Sequence, residues 1–413
     1  MEFTLAQNAW FGGEPVCITL PDDWQVEYCG LPADAAPVMD RAALKRAVDT
    51  PIGTKTIREL AAGKKEVCVV FDDMSRGTPC AELAGIVTEE LLEAGVDKRH
   101  IRFLCALGSH GACDRTFFEK KLGRRIVAEY AVFNHSPFQN NVNVGTTSGG
   151  VEIETNAELM ACDLKIGLGS ISPHPVNGFG GGAKIVAVGC GSMKTISQLH
   201  DACQRGMREK KLSFFDCVGN LEHDGMRREV EEAGKLIGLD FKIDAVLNSN
   251  CEIVALTAGD PIEEYYEGVK YAVRYNFTDR HPRDLDAVIV NANVKANEAQ
   301  LAFTLGASLL RPGGTVVLVD FCPGGQVLHQ YSGPAGYLIG GPGYHGRRTI
   351  PAIGRAILCT PNPDYTSLLN FGEPENIEVA ESWCEVLAKL SDLGPGTRAA
   401  VIADGTITGY PKL

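Results

Sequence analysis

No stretch of the 413-residue chain approaches the ~20 consecutive apolar residues that a membrane-spanning helix needs. Basic stripes are missing too: 39 Lys and Arg stand against 52 Asp and Glu, a formal net charge of −13. Nucleic-acid affinity rests on cations that neutralise phosphates, so charge excludes that class of partner. The two short basic runs, 120–125 and 205–211, read as solvated helix faces. Fourteen cysteines are present, yet there is no Cys-x-x-Cys and no paired Cys/His spacing, which argues against a zinc site and a disulfide framework. Cys68 in EVCVVF and Cys105 in RFLCAL sit inside apolar runs as small hydrophobes, which fits a reducing, cytoplasmic setting. The opening MEFTLAQNAW has neither the basic start nor the apolar core of a signal peptide. The 46 glycines show no three-residue period, so a collagen-like chain is excluded as well.

What is there is the balance of a globular protein, with 45% hydrophobic and 22% charged residues, and a length that suggests two or three domains. After mixed residues with helical periodicity at 41–48 and 56–62, a theme repeats. EVCVVF (66–71) is a β-rich run ending in Asp72-Asp73, and residues 80–95 form an amphipathic helix with a glycine stop. IRFLCALG (101–108) runs into Ser109-His110, a helix follows at 115–122, and DLKIGLGSI (163–171) runs into Ser172-Pro173-His174. A glycine-rich loop and a helix near 192–204 come next. Continuous apolar strands alternating with helices indicate a parallel sheet covered on both faces.

Residues 241–260 break the theme as a hairpin around Asn248–Asn250, with a helix at about 261–274. The polar stretch 274–284 with Pro282 reads as a linker. The βα pattern then restarts with a strand at 286–294, a helix at 298–310 and a strand at 314–321. Residues 323–348 are glycine-rich and long enough for a functional loop. Residues 347–360 and 383–390 complete this second unit, and AAVIAD (399–404) is a last strand for either unit. The expected division is 1–275 for an N-terminal catalytic and cofactor-binding unit, 284–398 for a C-terminal unit, and 399–413 for a tail that returns to the first.

Ligands of open parallel sheets bind beyond the carboxyl ends of the strands. Here those ends carry Asp72, Asp73 and Arg76, then His110, then His174. One loop histidine is an ordinary hydrogen-bonding residue; two, with an Asp/Arg pair, at three strand ends point to a shared site. The densest motif is Asn177-Gly-Phe-Gly-Gly-Gly-Ala-Lys184. A nucleotide-hydrolysing P-loop needs Gly before the Lys and Ser or Thr after it, and here Ala183 and Ile185 flank it. A dinucleotide fingerprint fails for want of the strand–helix context. What remains is a loop whose backbone approaches a bulky group or a phosphate beside a lysine, or one that only turns the chain. His200 falls near the end of the helix that begins about Ser192, where a histidine is commonly structural unless the preceding loop holds a cofactor.

FDDMSRGTP (71–79), ALGSH (106–110), SPHPVNGFGGGAKIV (172–186), His200 and the stretch 246–269 resemble the lactate racemase family, the nickel-pincer-nucleotide 2-hydroxyacid racemases and epimerases. The resemblance covers most of residues 40–320, and the block from Ser172 to Lys184 is its specific part. It implies an α/β fold of two Rossmann-like domains with mainly parallel sheets and an active site in the cleft between them. It implies Lys184 as the covalent attachment point of the nickel-pincer nucleotide, Asp73 beside it as a positioning residue, and His200 as the nickel ligand. It implies His110 and His174 as the two catalytic bases, Arg76 as the carboxylate clamp and Gln300 as a further substrate contact.

Chemistry agrees with that reading. The α-proton of a 2-hydroxy acid is very weakly acidic, and removing the hydrogen as hydride while a base takes the hydroxyl proton avoids a carbanion. Two enantiomers present their hydroxyls differently, so two imidazoles suit the task. A sulfur-rich donor set with one imidazole suits square-planar nickel. The resemblance also implies cofactor-biosynthesis proteins as partners, and a homo-oligomer is compatible with it. In one place the chain departs: lactate-type members carry a lysine three residues after the glutamine, where this alignment gives Phe303 after Gln300, with Lys295 nearby. That points to an acid larger than lactate, such as an aldonate, with lactate itself the alternative. A hydro-lyase or a nicotinamide-dependent dehydrogenase on the same scaffold, and a non-catalytic cofactor-binding protein, are the competing classes.

Overall fold

The computed structural model describes residues 1–212, 214–221, 226–280, 282–331, 350 and 352–410. Twelve strands build its two main sheets: β1 (Gln25–Cys29), β2 (Val67–Asp72), β3 (Ile101–Ala106), β4 (Ala131–Asn134), β5 (Leu164–Ser170), β6 (Phe241–Leu247), β7 (Ile253–Gly259), β8 (Leu285–Ala292), β9 (Leu310–Asp320), β10 (Ile353–Cys359), β11 (Ile377–Ala380) and β12 (Arg398–Ile402). The first sheet has the order β7-β6-β5-β2-β3-β4, the second β11-β10-β9-β8-β12-β1.

Both sheets are parallel except for β7, which turns back on β6. The reason is local. Asn248 accepts from the backbone N–H of Asn250 and Glu252, and Cys251 takes a left-handed φ of 60°, which closes the hairpin expected there.

Alternate residues of each central strand feed opposite cores. Val67, Val69 and Phe71 enter one, Cys68 and Val70 the other. In the second sheet Val288 and Val290 face one layer, Ala287 and Ile289 the other. This is the period of two expected of a pleated strand, and it is why the runs read as uninterrupted apolar sequence. Each fully buried Val, Ile or Phe contributes roughly 1.5–3 kcal/mol.

The sheet pairing differs from the expected division in two places. β1 lies within 1–275 yet forms the edge of the second sheet, and β12 is inserted between β8 and β1 rather than joining the first. Beyond β12 the chain reaches across: Gly409 N–H donates to Asn276 O at 2.9 Å and its carbonyl accepts from Thr278 N–H at 3.2 Å. Most of the glycine-rich stretch 323–348 lies outside the described residues.

The helix expected at 115–122 runs over Arg115–Glu129, with Gly123 at φ 80° making a kink. On it, Lys121 corrects the reading of 120–125 as a solvated face: it is 1% exposed and points inward. No disulfide joins any of the fourteen cysteines. Among the described residues, no helix is long and apolar enough to cross a membrane.

Candidate active site

Each sheet reverses its strand order once. In the first, β2 has β3 on one side and β5 on the other; in the second, β8 lies between β9 and β12. Crevices open beyond the carboxyl ends at such points, and here the two crevices face each other. Lys295 and Glu298, just after β8, meet Ser172, which follows β5, and Arg76, which follows β2.

The loop after β2 is built from within. Asp73 Oδ1 accepts from Ser75 N–H at 3.0 Å and from Ser75 Oγ–H at 2.6 Å, an Asx-type turn. Gly77 is required where the loop passes between the β6–β7 hairpin and the other unit, since a Cβ there would lie 2.8 Å from Cys251 Sγ and 3.0 Å from Val294 Cγ1. Beneath the loop, Lys121 Nζ donates to Asp72 Oδ1 at 2.5 Å, to Arg76 O at 2.7 Å and to Thr78 O at 3.1 Å. The lysine is buried because it supplies three donors to a loop that has no strand partner.

His110 Nδ1–H donates to Asp73 Oδ2 at 2.5 Å, which turns Nε2 toward Glu298 Oε1 at 3.6 Å. Desolvation opposes the imidazolium, but Asp73 and Glu298 outweigh it and hold His110 above its ordinary value. Asp73, although buried, is kept well below the usual carboxylate range by His110 and Arg76.

His174 is the opposite case. Its Nδ1 accepts from Val176 N–H at 3.1 Å, so the ring proton of the neutral tautomer is on Nε2. Nε2 lies 2.8 Å from Lys184 Nζ, and an imidazole N–H can donate there only to an uncharged amine. The electrostatics agree. Desolvation, then neighbouring cations, push both groups well below their ordinary values: Lys184, Lys295 and Arg76 act on His174, and Arg76 and Lys295 on Lys184.

The glycine loop is anchored from below. Gly182 N–H donates to Asp244 Oδ2 at 2.6 Å, and Lys242 Nζ pairs with Asp244 Oδ1 at 2.5 Å, both side chains fully buried. Gly181 has φ +90°, and a Cβ on it would meet Ile171 Cγ1 at 2.5 Å. Arg227 caps the loop, donating to Phe179 O at 3.0 Å while its guanidinium stacks 3.8 Å over Tyr265.

His200 lies mid-helix, since that helix runs over Met193–Lys210 rather than ending near 204. Its Nδ1–H donates to Ile196 O at 2.7 Å, leaving the Nε2 lone pair for a ligand, and desolvation lowers it to about 4. Neutral imidazole is the ligating form.

Three residues that sequence reasoning missed complete the cluster. Glu298 Oε2 accepts from Arg76 Nη1 at 2.6 Å. His329, in the stretch read as a functional loop, stands with its ring centroid 5.1 Å from that of His110. Tyr331 lies 4.5 Å from the His200 ring. Glu298 was legible in principle, because the strand-end rule applied to the second unit leads straight to Lys295 and Glu298.

Gln300, expected to touch substrate, is exposed at the start of the helix Gln300–Ser308, and no hydrogen bond among the described residues ties it to the cluster. Phe303 packs in the core of the second unit, 5.5 Å from the Phe371 ring, so it does not replace a site cation. Asn293 is held by Ala9 N–H and Ser249 O. Lys295 instead supplies the second cation: it is 3% exposed, donates to Ser172 Oγ at 2.8 Å, and is lowered to about 8 by desolvation and Arg76. Among the described residues no three His, Cys, Asp or Glu side chains converge on one point.

Two facing Rossmann-like α/β units, with the chemistry at their opposed switch points, are a shared architecture. The whole chain superposes on the lactate racemase apoprotein from Thermoanaerobacterium thermosaccharolyticum with a TM-score of 0.76, covering 100% of both chains at 20% identity. A protein from Thermotoga maritima matches with a TM-score of 0.62 at 19% identity, over 90% of this chain and 99% of that one. In sequence, residues 11–211 match the lactate racemase N-terminal domain family. The chain is 24% identical over 291 residues to the lactate racemase of T. thermosaccharolyticum and 26% identical over 286 residues to that of Lactiplantibacillus plantarum. Each alignment takes in 68% of this chain and 66% of the relative, just under two thirds of the relative's length. The chain is a distant relative of the lactate racemases, and its residues 11–211 match their N-terminal domain.

Proposed function

We propose that the protein inverts the C2 centre of a 2-hydroxy acid, as a racemase or epimerase, with a nickel-pincer nucleotide joined to Lys184 and its nickel held by His200. The observation that carries this is the Lys184–His174 pair on an anchored glycine loop: an amine 2.8 Å from an imidazole, held well below its ordinary pKa by burial and by Arg76. An amine must be neutral to form a covalent bond to an acyl or thioacyl carbon. The donor set suits the group: an amine at Lys184 held below its ordinary pKa, an open imidazole lone pair at His200, and the buried Nε of Arg227 and Oδ1 of Asn177, which have no hydrogen-bond partner among the described residues. When bound, the nucleotide supplies the hydride acceptor.

The chain's own residues do the rest. Arg76 and Lys295 bind and orient the substrate carboxylate from the two sides of the cleft. The environments of His174 and His110 push them apart, so the first is poised as base and the second as acid. Once Lys184 is joined to the nucleotide its nitrogen no longer accepts from His174 Nε2–H, which favours the tautomer with the lone pair on Nε2; His174 then takes the hydroxyl proton of one enantiomer, and His110 Nε2 returns a proton to the same oxygen of the other. Asp73 fixes the His110 tautomer and steadies its charge. With Phe303 in the core and Lys295 in the cleft, the ground for excluding lactate is gone. The compartment we assign is the cytoplasm, given fourteen cysteines without a disulfide.

The test is intact-mass analysis of protein co-expressed with the cofactor-making enzymes, alongside loss of optical purity of 2-hydroxy acids. Lys184→Ala is expected to abolish the mass increment and the activity together. An increment that survives moves the attachment elsewhere and overturns the reading.

A further inference from the structure

Five side chains close a ring beside the loop that follows β2. Arg76 Nη1 donates to Glu298 Oε2 at 2.6 Å, and Glu298 Oε1 lies 3.6 Å from His110 Nε2. His110 Nδ1–H donates to Asp73 Oδ2 at 2.5 Å. Ser75 Oγ–H donates to Asp73 Oδ1 at 2.6 Å and accepts from Arg76 Nη1 at 2.6 Å, which joins the two ends. Ser75 is the uncharged member of the ring and is 1% exposed.

Chemistry fixes the direction of that hydroxyl. A guanidinium only donates and an ionised carboxylate only accepts, so the hydroxyl hydrogen faces Asp73 and an oxygen lone pair faces Arg76. A hydroxyl that accepts from a cation is polarised and donates more strongly on its other side. The charge of Arg76 is thereby felt at Asp73 through Ser75. The local turn does not depend on this hydroxyl. Ser75 N–H donates to Asp73 Oδ1 at 3.0 Å and Ser75 O accepts from Arg76 Nη1 at 3.1 Å, and both of these are backbone groups that an alanine keeps.

His110 is the reason Asp73 needs a counterweight. Its ring is faced by Asp73 from the loop after β2, by Glu298 from the turn after β8, by Arg76, and by the His329 ring at 5.1 Å between centroids. Two carboxylates beside one imidazolium hold its proton firmly. A group that works in both directions of an inversion has to release that proton as well as take it back. Each hydrogen bond that a carboxylate accepts spreads its charge and makes it a weaker partner for a cation. Asp73 accepts from Ser75 N–H, from Ser75 Oγ–H and from His110 Nδ1–H. Ser75 Oγ also lies 3.3 Å from His110 Nδ1, a contact that changes little on titration because the proton exchanged is on Nε2.

We propose that Ser75 is a positioning residue of the reaction: its hydroxyl, oriented by Arg76, draws charge away from Asp73, so that His110 can release its Nε2 proton as well as take it back. This deepens the C2-inverting function proposed above and rests on it. The hydroxyl touches neither substrate nor cofactor and acts through Asp73.

Ser75→Ala and Ser75→Thr test it, with Asp73→Asn as a control of opposite sign. Nitrogen-15 NMR of the cofactor-free chain follows the titration of the His110 ring, whose signals are assigned by their loss in His110→Gln. Ser75→Ala leaves Asp73 one donor short, so His110 is expected to release its proton at higher pH than in the wild type. Asp73→Asn moves that release to lower pH. Ser75→Thr restores the hydroxyl and is expected to titrate as the wild type does. On the cofactor-loaded enzyme the alkaline limb of kcat should move in the same sense in each variant. At neutral pH kcat of Ser75→Ala should fall about tenfold or more, the scale of one hydrogen bond to a charged group. KM should change by less than about threefold, because Arg76 keeps Glu298 and Ser75 O as partners. Thermal unfolding checks that all variants are folded. A His110 titration that stays in place or moves to lower pH in Ser75→Ala overturns the proposal, as does a threonine variant that titrates like the alanine one. The expected NMR shifts in a protein that carries the Lys184 increment yet inverts no acid defeat the racemase reading and leave the coupling of Ser75 to His110 standing.

Discussion

Replacing Lys121 with Met isolates the part of the site that is pure structure. The ammonium is 1% exposed, donates to Asp72 Oδ1 and to the carbonyls of Arg76 and Thr78, and lies 4.9 Å from the Trp10 ring centroid. Methionine keeps the volume of the stem but leaves Asp72 buried without its cation and two carbonyls without a donor. Breaking a buried pair from one side costs about 3–5 kcal/mol. For a unit of ~150–250 residues each kcal/mol lowers the midpoint by about 2–4 °C, so a fall of roughly 6–20 °C is expected. Adding Asp72→Asn removes the stranded charge and is expected to restore at least about 1 kcal/mol, a non-additivity expected for residues in direct contact. Thermal and denaturant unfolding of the cofactor-free protein at neutral pH measures both variants against the wild type. A loss below about 1 kcal/mol in Lys121→Met, or a double variant less stable than the single one, would refute the argument that the loop rests on this lysine.

Four further outcomes follow from the cleft. Replacing His110 or His174 with Gln should cost about 10²–10⁴-fold in kcat with the Lys184 mass increment intact; a loss below tenfold for either argues against two-base chemistry. Asp73→Asn removes a group that raises His110, so its pKa falls and the alkaline limb of the rate profile, which reports protonated His110, moves to lower pH. The stability that the pair supplies is lost as pH rises through the folded value of His110, and also as pH falls through that of Asp73, so folding stability of the wild type relative to Asp73→Asn should peak between them. Lys295, lowered to about 8, loses its charge as pH rises through that value, so KM for the acid should climb above about pH 8 and that rise should vanish in Lys295→Met. Finally, His200→Ala should reduce nickel content measured by elemental analysis while leaving the increment on Lys184; unchanged nickel would remove His200 as its ligand.

Much of this protein was determined by sequence alone. Uninterrupted runs such as EVCVVF and DAVIVNANV can only be strands covered on both faces, because each residue finds a core on one side or the other. Asp73, Arg76, His110 and His174 were found because the carboxyl ends of parallel strands are where such sheets bind. The glycines of the Lys184 loop marked a close approach, since side chains at 181 and 182 have no room.

What only the tertiary structure decided concerns groups whose role depends on a partner far along the chain. The membership of β1 and β12 in the second sheet is a matter of hydrogen-bond partners, which a local apolar pattern does not specify. Lys121 looked like part of a basic face until Asp72, 49 positions away, was seen to need its charge. Gln300 and Phe303 were chosen by spacing; Gln300 opens its helix in solvent, while Phe303, one turn on, packs in the core. Lys295 and Glu298 took their places because β8 ends opposite β2 and β5, where Glu298 pairs with Arg76 and Lys295 donates to Ser172. Local sequence specifies strands, turns and the residues at their ends; which charges face one another is set by two separate sheets docking, and that is a long-range outcome of packing.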